Sequence, residues 1–64
     1  MENRTREDIK VLILNKKRQL SALEIREQEL AGSSFTNQFE LSIVRAEIYL
    51  VKDFISDLEF ILTL

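Results

Sequence analysis

From Leu41 onward, apolar residues recur at spacings of three and four without a polar interruption: Leu41, Val44, Ile48, Val51, Ile55, Leu58 and Leu62. That alternation places all of them along one face of an α-helix and has the form of a coiled-coil seam. A second row runs beside it through Ile43, Glu47, Leu50, Phe54, Asp57, Ile61 and Leu64. Together the two rows cover about half of the helix circumference, whereas one partner helix covers an arc of about 100°. The second half of the chain is therefore predicted to touch more than one helix.

The first half carries a narrower seam of Ile9, Ile13, Lys16, Leu20, Leu23, Glu27 and Leu30. Lys16 and Glu27 interrupt it. Polar residues at such positions can fix register, or they can bury their stems while the charged heads reach water. The Lys16 ammonium is expected to reach solvent, or Glu47 or Asp57. On the opposite side lies a weaker strip of Val11, Leu14, Arg18 and Ile25.

Local signals set the expected boundaries. Thr5 is a suitable N-cap, with Glu7 and Asp8 near the positive end of the helix dipole, and Gly32 suits a C′ position that requires positive φ. This predicts a first helix over about residues 6–31 and a turn over about 32–36. A second helix follows over about 37–63. Ser34, Thr36 and Asn37 compete for its N-cap, and Asn37 with Glu40 has the form of a capping box. Matched helices with a short connection pack antiparallel. The expected fold is all-α: one domain, 1–64, forming an antiparallel two-helix hairpin.

Composition changes the picture in one respect. The chain has 64 residues, one Gly, no Pro, no Cys and no His. A single helix–helix seam is a small core, and disulfides or thiolate and imidazole metal sites are unavailable to reinforce it. Association remains. The expected assembly is a homodimeric four-helix bundle or a larger helical oligomer, with Ile43, Leu50, Phe54, Ile61 and Leu64 facing the symmetry mate. At this stage the two rows of the second helix are interchangeable in that assignment.

Candidate chemistry is sparse. Without His or Cys the usual general base and the strongest nucleophile are missing, and no Gly-rich loop offers a phosphate cradle. Glu47, Asp53 and Asp57 are solvated or salt-bridged acids rather than a metal site, since a di-metal bundle also calls for His ligands. No enzyme activity, cofactor or metal is expected. The segment 41–64 holds Arg45, Glu47, Lys52, Asp53, Asp57 and Glu59, too many charges for a membrane span. The start of the chain lacks a signal-peptide pattern, so a cytoplasmic location is expected.

The only basic run is Lys16-Lys17-Arg18. Residues 1–18 hold six positive side chains against three acidic ones, yet the whole chain is net −2. An antiparallel hairpin sets this basic half beside the acidic end of the second helix, which neutralises the field that nucleic-acid binders concentrate. Among the aromatics, Phe54 is expected in the core, and Phe35 with Phe39 at the turn end. Tyr49 and Phe60 lie outside both rows. The pattern points to a non-enzymatic helical interaction module that oligomerises and regulates or scaffolds a partner protein, with Val11, Leu14, Arg18 and Ile25 as the partner surface. One alternative is an RNA- or DNA-binding hairpin dimer using Lys10, Lys16, Lys17 and Arg18. The other is a purely structural homo-oligomer.

Overall fold

Helix-compatible sequence, uninterrupted by proline, forms two helices, α1 (Asn3–Ala31) and α2 (Gln38–Leu62). They are seen in a computed structural model that describes residues 2–33 and 37–64. The helices hold 29 and 25 residues, about 44 and 38 Å at 1.5 Å per residue. They lie antiparallel in a rod of 50 × 14 × 12 Å.

The seam of α2 faces α1, which resolves the interchange left open by the pattern. Ile13 packs with Val51, Ile55 and Leu58 at one end. At the other, Leu30 packs with Leu41, Val44 and Ile48. Leu20 and Leu23 touch both clusters and join them. The core residues keep between 5% and 8% of their surface, and among the described residues no large side chain falls below 2%. This is the packing of a single seam, not of a layered interior.

Three boundary expectations need correction. Helix α1 begins at Asn3, with Glu2 as an extended N-cap residue that makes no side-chain cap hydrogen bond. Thr5 is thus inside the helix, and Glu7 and Asp8 lie beyond its first turn. Arg6, in the first turn, lies beside the far end of α2, where its guanidinium donates to the Leu62 carbonyl at 2.8 Å. Gly32 sits at the C-cap with φ −86°, not in the left-handed region, because its N–H still donates to the Gln28 carbonyl at 3.0 Å.

The start of α2 follows the sequence. Asn37 is the N-cap, its side-chain oxygen accepting from the Phe39 and Glu40 N–H groups at 2.9 and 3.1 Å. Two orphan donors of the first turn are satisfied in this way. The expectations for Ser34, Phe35 and Thr36 fall outside the described residues. Phe39 does not close the turn end: 73% of its surface is exposed. It follows Asn37 by two residues, so the cap geometry turns it away from the seam.

Candidate association surface

The two edges of the seam differ in chemistry. Rows spaced by seven residues show it, since every seventh residue returns to nearly the same helical direction. Along one edge α1 carries Lys10, Lys17 and Glu24, opposite Arg45, Lys52 and Glu59 of α2. Lys17 pairs with Glu59 at 3.6 Å, and on the same side Arg45 Nε donates to Glu27 at 3.1 Å. These groups are exposed, so the pairs contribute little stability and act mainly to set register.

Along the other edge α1 carries Leu12, Gln19 and Arg26, opposite Glu40, Glu47, Phe54 and Ile61. Arg26 and Glu40 form an ion pair near the turn. Beyond it the edge becomes apolar. Leu12, Phe54 and Ile61 are all exposed, and Ile43, Leu50 and Leu64 extend the apolar strip over the adjoining face of α2. Ile43, Leu50, Phe54, Ile61 and Leu64 keep between 36% and 79% of their surface.

Lys16 sits at the centre of this edge. It does not reach Glu47 or Asp57 as the sequence suggested. Its ammonium donates to Gln19 at 3.2 Å and lies 5.4 Å from the centroid of the Phe54 ring, within cation–π range. Phe54 follows from the same geometry: it is a half-exposed edge residue under a lysine, not a core residue. Lys16, Leu50, Val51, Asp53, Phe54 and Asp57 together line a shallow groove. Among the described residues, Lys16, Asp53 and Asp57 form no ion pair with one another or with other groups.

The chain exposes 4957 Å², more than the roughly 4,250 Å² of a compact monomer of 7.5 kDa, as an elongated rod does.

The remaining sequence candidates are distributed around the rod. Val11, Leu14 and Ile25 are exposed on the outer side of α1, with Arg18 between them. Tyr49 and Phe60 are exposed on α2. The basic half of α1 lies beside the acidic end of α2, where Lys17 meets Glu59 and Arg6 holds the Leu62 carbonyl, while Lys10 pairs within α1 with Glu7 at 3.2 Å. Among the described residues no group of acids has metal-binding geometry, and no helix is long and apolar enough to cross a membrane.

Leu12 is the residue that sequence reasoning missed. It stands outside both rows assigned to α1, but its spacings of four from Lys16 and seven from Gln19 were enough to put it on the apolar edge. The chain matches no known protein family, no characterised protein and no solved structure.

Proposed function

We propose that this chain is a self-associating, non-catalytic helical module. Its working unit is a homodimer of hairpins in a four-helix bundle, which regulates or scaffolds a partner protein. The observation that carries the self-association is the exposed row of Leu50, Phe54, Ile61 and Leu64 on α2, interrupted by Asp57, on a protomer whose own seam is already closed. Leaving such a strip in water is unfavourable, and contiguous exposed apolar surface marks interaction sites. The partner-binding role is inferred from the second exposed strip on α1, which a dimer through α2 leaves uncovered.

The test of self-association is sedimentation of the intact chain over a concentration series, with thermal unfolding alongside. Mass action requires the unfolding midpoint of a dimer to rise with chain concentration. Leu50→Glu with Phe54→Glu is expected to abolish the dimer, while Ser56→Glu, on an exposed site outside the strip, leaves it intact. A chain that sediments as a folded monomer at micromolar concentration, with a midpoint independent of dilution, overturns the proposal.

A further inference from the structure

We infer that the second copy docks antiparallel, α2 against α2, with the two-fold axis at Phe54 and with Lys16 of each chain pairing with the partner's Asp57. This rests on the self-association proposed above and adds its geometry.

The choice of helix comes from the unequal halves of the apolar edge. On the same broad face, α1 offers Asp8, Asn15 and Gln19 around Leu12, while α2 offers five exposed apolar residues, Ile43, Leu50, Phe54, Ile61 and Leu64, interrupted by Glu47 and Asp57. Packing α2 on the partner's α1 would press that strip against amides and a carboxylate. Packing α2 on α2 sets Phe54 against the partner's Phe54 and brings the exposed apolar residues of both copies together, with Glu47 falling opposite an isoleucine rather than another acid.

The choice of direction comes from charge. A parallel pairing would bring Glu47 against the partner's Glu47 and Asp57 against the partner's Asp57, and would align the two helix dipoles. In the antiparallel pairing, residues equidistant from Phe54 meet. Phe54 lies near the middle of the strip, with Ile43 and Leu64 at its ends, and Glu47 and Ile61, each seven residues away, fall opposite each other. Like charges are thereby separated and the dipoles oppose.

Lys16 supplies the contact at the centre. Its ammonium already lies over the Phe54 ring, next to the proposed axis, and it has no carboxylate partner among the described residues of its own chain. Asp57 lines the same groove, also without an ion pair. Across a two-fold axis at Phe54, each ammonium faces the partner's Asp57, and desolvation by the surrounding Leu50 and Phe54 strengthens the attraction.

Two measurements test this. The first mixes Lys16→Glu with Asp57→Lys chains. Each variant alone sets like charges across the axis and is expected to dimerise at least about tenfold more weakly. The mixture restores opposite charges at both contacts and is expected to recover a heterodimer near native affinity. An intrachain contact gains nothing from mixing, so two variants that stay weak in mixture, or variants that dimerise normally alone, overturn the pairing.

The second measures direction. The chain has no cysteine, so Ser42→Cys gives a single spin-label site on exposed surface. Twelve residues separate it from Phe54, so the antiparallel dimer sets the labels roughly 35 Å or more apart, at 1.5 Å per residue on each side. A dimer whose labels lie within roughly 20 Å is parallel and overturns the inference alone. A chain that sediments as a monomer overturns the self-association on which it stands.

Discussion

The guanidinium of Arg6 donates to the carbonyl oxygen of Leu62 at 2.8 Å, tying the first turn of α1 to the last turn of α2 across 56 residues of sequence. The acceptor is one of the final carbonyls of α2, which have no helical partner and carry the negative end of its dipole. A cation at that position satisfies an orphan acceptor and complements the field in one contact. Arg6→Ala is expected to lower unfolding free energy by about 1 kcal/mol, below the usual range for a hydrogen bond to a charged group because the site is only part-buried. Urea denaturation at fixed chain concentration measures it. Amide exchange should accelerate at residues 3–6 and 60–63, and unchanged exchange at both termini would refute the role assigned to this contact.

The seam itself is tested at its middle. Ile55 is buried against Ile13 and its cluster, so Ile55→Ala removes packed methyl and methylene groups and should cost about 2–5 kcal/mol per chain. Ser42 is exposed and its hydroxyl only donates back to the Gln38 carbonyl, so Ser42→Ala should cost less than about 0.5 kcal/mol. Equal losses in the two variants would contradict the observed face of α2.

The ends of the turn are tested together. Asn37→Ala deprives the Phe39 and Glu40 N–H groups of their acceptor and should cost about 1 kcal/mol, with Asn37→Asp retaining most of it. Gly32 behaves differently from a left-handed cap. With φ at −86° a side chain meets no backbone penalty, and an added Cβ would lie 3.3 Å from the Gln28 carbonyl oxygen. Gly32→Ala should therefore change stability by less than about 1 kcal/mol in either direction. The reduced freedom of the unfolded chain opposes that close contact. A larger loss in thermal unfolding would show that the glycine is needed for its conformational range.

These particulars explain what was legible in the sequence. The seven apolar positions of the α2 seam are all buried or nearly so because periodicity is a direct projection of helix geometry, and nothing interrupts it. Asn37 was among the candidates for the same kind of reason: a short amide acceptor before a helical run. What the sequence could not supply depends on contacts distant along the chain. The start of α1 is held by Arg6 reaching Leu62, and no local rule encodes a partner so far away. For the Lys16 ammonium the pattern offered solvent or the carboxylates of Glu47 and Asp57, yet it lies over the Phe54 ring and donates to Gln19. For a partly buried lysine, an aromatic face and a neighbouring amide are partners that a match of opposite charges does not reveal.

The last prediction concerns the outer side of α1. Val11, Leu14 and Ile25 are each about half or more exposed, Ile25 at 59%, and they follow helical spacing with Arg18 between them. The proposed dimer through α2 would leave this strip in water, and the proposed partner would then use its aliphatic residues for contact area and Arg18 as a polar anchor. Leu14→Glu with Ile25→Glu separates this role from a second self-contact. If the strip receives a partner, the double variant should keep its helicity and its dimeric sedimentation and should lose capture of proteins that the native chain retains. If the strip instead packs between dimers, native chains should sediment as a larger species, and the double variant should reduce it to the dimer. Unchanged assembly together with unchanged capture would remove any role for this strip, because two buried carboxylates could not be accommodated in either interface without a large loss of affinity.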